Sequence, residues 1–155
     1  MAWKLYTDAA CSQEFGGTLT LVHKTDLSDN PQDTQLWYAN VDDDPGDNQI
    51  LEKVEATAPG TNPITLSIVD TTPGSGHEAT EITLAKTAAG LGTATAGASL
   101  DLGQDDASIG VVRILSGASA AEEVNIRVEN AVTTPGSSTE LSIEIVETID
   151  RDTSV

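Results

Sequence analysis

Apolar and polar positions alternate along much of this chain, most clearly between Val124 and Glu147. Val124, Ile126 and Val128 alternate with Asn125, Arg127 and Glu129; further on, Leu141, Ile143 and Ile145 alternate with Ser142 and Glu144. Successive side chains on a strand point to opposite faces, so each run predicts a strand with one dry and one wet side. Between the runs stands Thr133-Thr134-Pro135-Gly136-Ser137-Ser138. Proline fixes one backbone dihedral there and glycine tolerates a positive one, so the two runs read as an antiparallel hairpin closed by this turn.

The same period recurs upstream. It predicts strands over Thr18–Thr25 (with Leu19, Leu21 and His23 on one face), Gln35–Asn40, Ile50–Ala56, Ile64–Val69, Thr80–Lys86 and, more briefly, Leu100–Leu102. Ile109–Leu115 is more apolar, with Val111 and Arg113 on one side and Val112 and Ile114 on the other, and reads as a central strand or one under a neighbouring element. Loops are expected at Leu27–Thr34, at Asp42–Asp47 and at Ala58–Pro63. Thr87–Leu91 has room for one helical turn, but Gly90, Gly92 and Gly97 oppose a longer helix. The expected fold is all-β: a β-sandwich of about eight or nine mostly antiparallel strands, with jelly-roll and immunoglobulin-like topologies both open. Residues 18–149 form its body, residues 1–17 a terminal segment and residues 150–155 a polar tail.

One short repeat stands out. Thr71-Thr72-Pro73-Gly74-Ser75-Gly76-His77-Glu78 matches residues 133–140 at six of eight positions, and each copy lies between alternating runs. Two similar hairpins follow, related by duplication or by shared turn chemistry.

The terminal segment carries Trp3, Tyr6 and Phe15, with Leu5 among them, and closes on Gly16-Gly17. Large rings are costly to leave wet. They either strap the chain's own core or form an arm that buries against a neighbouring subunit, and in the second case Trp3, Leu5, Tyr6 and Phe15 are the interface anchors.

Charge narrows the choice of partner. Twenty-five acidic residues against seven basic ones give a net charge of -18. That disfavours a phosphate backbone and an anionic membrane surface. It serves solubility, a basic partner or a salty environment. Aromatics make up only 3% of the chain, so the core is expected to be Leu, Ile, Val and Ala. With 155 residues it needs neither metal nor disulfide to fold, and the lone Cys11 allows no internal disulfide. No apolar run reaches the roughly 20 residues of a spanning helix, and none near the N-terminus forms a secretory signal.

Candidate chemistry is sparse. Asp42, Asp43, Asp44 and Asp47 surround Pro45-Gly46, which reads as a solvated turn or a weak calcium site; the spacing does not match the twelve-residue calcium loop. His77-Glu78-Ala79-Thr80-Glu81 begins like a zinc-protease motif but has Glu where the second His must stand. No Gly-x-Ser-x-Gly elbow is present, and His23 and His77 are the only imidazoles. No catalytic residue is assigned and no cofactor is expected.

The opening Trp3-Lys4-Leu5-Tyr6-Thr7-Asp8-Ala9-Ala10, the segment Phe15-Gly16-Gly17-Thr18-Leu19, the stretch Ile64–Leu84 and the Val-rich strand through Arg113 resemble small structural proteins of tailed viruses. The resemblance is to capsid decoration (cement) proteins and related head or tail modules. It implies a non-enzymatic virion protein on the outer surface of the capsid. Such a module is often trimeric, binds the major capsid protein across subunit junctions and braces the shell. The alternative is a carbohydrate- or receptor-binding sandwich of a tail, fibre or cell surface, with Trp37 and Tyr38 as its platform. Neighbouring strand residues point oppositely, which weakens that pair as a stacking site.

Overall fold

The computed structural model describes residues 3–41, 50–102, 104–106 and 111–153. Among them lie eleven strands and three short 3-10 turns. The strands are β1 (Lys4–Tyr6), β2 (Gln32–Ala39), β3 (Ile50–Glu55), β4 (Ile64–Asp70), β5 (Ile82–Ala85), β6 (Leu100–Leu102), β7 (Gln104–Asp106), β8 (Val111–Leu115), β9 (Glu122–Val128), β10 (Leu141–Ile145) and β11 (Thr148–Thr153). The fold is all-β, as the alternation predicts.

One layer is the antiparallel sheet β1-β2-β9-β5; the other consists of β10-β4-β6 and β11-β3-β8-β7. These two smaller sheets share strand paths, because β10 leads into β11 and β6 into β7 within two residues. Val146 N–H donates to Thr65 O and Ala56 N–H to Glu147 O, both at 3.0 Å, so pairing continues through the change of sheet. The apolar faces of both layers meet in one core. Leu36, Tyr38, Ile82, Leu84, Val124 and Ile126 come from the first layer, and Ile64, Leu66, Leu102 and Ile114 from the second. Each fully buried aliphatic side chain contributes about 1.5–3 kcal/mol, so this seam holds the sandwich together.

Register shows how alternation becomes a dry face. Leu36 lies opposite Val124, Leu84 opposite Ile126, and Ile143 opposite Ile68. Among the described strands, only β1–β2 and β7–β8 are sequence neighbours paired in one sheet. The chain passes between layers at most other connections, a crossing arrangement rather than a meander of hairpins.

Four expectations are corrected. The runs 124–128 and 141–145 do not pair: β9 lies between β2 and β5, while β10 pairs with β4 in the opposite layer. Each run has a dry face, but alternation does not say which strand supplies the neighbour. The two Thr-Thr-Pro-Gly segments are therefore layer-to-layer crossovers, not hairpin turns. Residues 18–25 form no strand; that stretch is an unpaired surface strap with Val22 81% exposed. Lastly, the expected polar tail is β11, zipped to β3 over Thr148–Thr153 by cross-strand charge pairs.

Candidate functional site

The N-terminal rings serve this chain's own fold. β1 is an edge strand on β2, and the chain doubles back so that Phe15 N–H donates to Leu5 O at 2.8 Å. Trp3, Leu5 and Phe15 lie partly buried against the main core. Tyr6, 5% exposed, joins Cys11 and Ala39 in a second small cluster. Tyr6 would have to leave its own core to anchor a partner, so of the two sequence alternatives the strap describes its position. The Asp8 carboxylate ties the returning loop by accepting the Ser12 and Gln13 amides at 3.0 and 2.8 Å. Those N–H groups and the Ser12 hydroxyl hold its carboxyl below the usual range, the Gln13 amide most of all. Cys11 is 4% exposed; burial, and then the Asp8 charge, push its thiol up, away from the thiolate a nucleophile needs.

Trp37 and Tyr38 point to opposite sides, as neighbours on a strand must. Trp37 packs against the small cluster, whereas Tyr38 is 7% exposed in the main core, with its ring centroid 5.7 Å from that of Trp3. Burial, and then the charge of Asp150, raise the Tyr38 phenol above its ordinary value. The two rings form no joint stacking platform.

Beside them β3 and β11 carry a charge network that sequence reading missed. Glu52, 5% exposed, lies between two guanidiniums, with Arg113 at 2.9 Å and Arg151 at 2.7 Å. Lys53 pairs with Asp150 at 3.1 Å, donates to Thr148 Oγ1 at 2.9 Å and lies 5.3 Å from the Trp3 ring centroid. A buried carboxylate needs such partners. The one signal in the sequence was Arg113 inside an otherwise apolar run.

At one end of the sandwich the two crossovers touch. Glu140 accepts the Thr72 hydroxyl and, at 2.5 Å, the His77 amide. The Thr72 hydroxyl first, then the His77 amide and the Ser138 hydroxyl, hold its carboxyl below the usual range. His77 Nδ1 lies 2.8 Å from Glu81 Oε2, whose residue is 5% exposed. An open groove of about 340 Å³ runs beside this junction, bordered by His77, Thr134, Pro135 and Ser138. Its two titratable side chains are engaged: Glu140 holds the neighbouring crossover, and His77 pairs with Glu81 of its own segment. The near-miss zinc motif thus becomes a structural His–Glu pair.

Asp42, Asp43, Asp44 and Asp47, the candidate calcium ligands, lie outside the described residues. Among the described residues no three His, Cys, Asp or Glu side chains converge as a metal group.

A third region includes Thr18–Thr25, where the alternation predicts a strand. Residues 16–31 run over the surface without pairing, and Leu19 and Val22 are 36% and 81% exposed. Polar clamps fix the path: Gln32 Nε2 donates to Val22 O at 2.8 Å, and Asp29 accepts the Lys24 amide on both oxygens at 3.0 Å. Asn30 Nδ2 donates to Asn130 O at 2.7 Å, pinning the strap to the end of β9. Comparisons of the chain with protein-family models, curated proteins and solved structures give no match.

Proposed function

We propose that this protein is a non-enzymatic structural component of a tailed virus, a decoration (cement) protein that binds the major capsid protein on the outer surface of the shell. The reading begins from the resemblance of residues 3–19, 64–84 and the strand through Arg113. The observation that carries it is the surface strap, clamped at residues 22–24, in which Val22 is 81% exposed and Leu19 36%. A contact surface ordered before its partner arrives loses little conformational entropy on binding. The committed state of the reactive groups supports the same reading. Cys11 is buried with a raised thiol, and the His77 imidazole is engaged by a buried carboxylate. Assembly into trimers belongs to this proposal, with salt or basic partner residues screening the -18 charge of each copy.

The test is sedimentation with shells assembled from the major capsid proteins of several tailed viruses and stripped of other surface proteins. The expected result is retention on at least one shell at a regular, saturable copy number. A chain that stays in the supernatant with every shell overturns the proposal.

A further inference from the structure

We infer that the strap segment 18–24 docks on a partner protein whose apolar patch is rimmed by Lys and Arg side chains; this rests on the contact-module reading above and names the chemistry of the partner.

Single exposed apolar side chains are ordinary on protein surfaces. This segment differs in two respects. Leu19 and Val22 flank the half-buried Leu21, so three aliphatic residues lie within four positions of unpaired chain. The segment is also held at its C-terminal end. Gln32 grips the Val22 carbonyl, Asp29 grips the Lys24 amide, and His23 Nδ1 lies 3.1 Å from Asn30 Oδ1. These bonds engage polar groups of residues 22–24, while Val22 and Leu19 stay exposed and Leu21 half-buried.

Charge chooses the occupant. Glu14, Asp26, Asp29 and Asp33 flank the segment in sequence, against Lys24, the Lys4 that pairs with Glu14 at 2.9 Å and the Arg127 that pairs with Asp33 at 2.8 Å, which leaves a small acidic excess beside the segment. The chain as a whole carries -18, so a second copy approaches against repulsion, whereas a cationic rim is attracted. The core of the contact is then apolar and its border electrostatic, the usual division in protein interfaces.

The probe is a short peptide of alternating Leu and Lys, with an alternating Leu–Glu peptide of equal length as control; the readout is amide chemical-shift change on the intact protein. The expected result is binding of the Leu–Lys peptide with shifts centred on residues 18–24, weakened by added salt and about tenfold weaker in Val22→Ser. Val22 is 81% exposed, so that variant keeps its fold, which the unperturbed part of the same spectrum verifies. Shifts spread over the acidic surface with no focus on the strap, equal binding by Val22→Ser, or equal binding of the Leu–Glu peptide overturns the inference. So does a wild-type dimer in light scattering that Val22→Ser abolishes, since the occupant is then a second copy. In the shell assay, a Val22→Ser protein that still binds as well as wild type overturns the strap as the contact while leaving the decoration proposal standing. Strap-centred peptide binding by a chain that ignores every shell does the reverse.

Discussion

Residues 71–78 and 133–140 share six of eight side chains yet adopt different shapes. The first copy closes a turn, with Ser75 N–H donating to Thr72 O at 3.1 Å and with Gly74 and Gly76 at φ +85° and +84°. The second runs on without that turn, and its Gly136 is not in the left-handed region. The last residue of each copy explains the split. Glu78 stays local, its amide donating to Glu81 Oε1 at 3.2 Å, while Glu140 reaches across to the first copy. The two mismatched positions, Gly76-His77 against Ser138-Thr139, decide which copy is gripped. A Cβ at Gly76 would stand 2.7 Å from Glu140 Oε1, whereas one at Gly136 meets nothing within 4 Å. Shared turn residues therefore set what a loop is able to do, and the partner carboxylate sets what it does.

The sharpest way to break this contrast is a paired glycine substitution. Gly76→Ala should lose about 1–3 kcal/mol, because the alanine is strained at positive φ and displaces the Glu140 carboxylate. Gly136→Ala should stay within about 0.5 kcal/mol of wild type. Chemical denaturation of both measures the difference, and equal losses would dissolve the distinction between the copies. A smaller effect is expected from Glu140→Gln, which should lower the unfolding midpoint more than Glu78→Gln does; the reverse order would remove Glu140 as the latch. The smallest effect concerns pH. The Glu140 carboxyl lies below its ordinary value in the folded protein, so its stabilisation is present above the unfolded carboxyl value of about 4.3 and disappears as pH falls through the lower folded value. The gap between wild type and Glu140→Gln should therefore close in acid. A gap that persists unchanged at strongly acidic pH would show that the carboxylate's charge is not what holds the loop.

Much of the sandwich is legible because half-buried strands must alternate. β3, β5, β6 and β8 fall within the predicted runs, β4 overruns its own by Asp70, and β8 is central, one of the two places its pattern allows. Pairing was not legible, since Ile126 and Ile143 show the same periodicity whether their strands are neighbours or lie in opposite layers. β11 was missed because its sequence, Thr-Ile-Asp-Arg-Asp-Thr, is polar; its place depends on Asp150 and Arg151 meeting Lys53 and Glu52, two residues nearly a hundred positions away. The strap was mistaken for a strand for the converse reason. Leu19 and Leu21 alternate correctly, but no neighbouring strand takes up their backbone groups. The contact surface proposed here was thus hidden inside a misread pattern, while the aromatic residues that looked like anchors close the chain's own edge.

The lone thiol at position 11 gives the molecule a chemical stopwatch. Cys11 is enclosed with Tyr6 and Ala39, and burial pushes its thiol further from ionisation, so a thiol-specific reagent should reach it when the 7–14 loop lifts from the body. The rate of that modification, followed by mass spectrometry, clocks the opening of this edge with no engineered label, and a partner that clasps the edge would slow the clock.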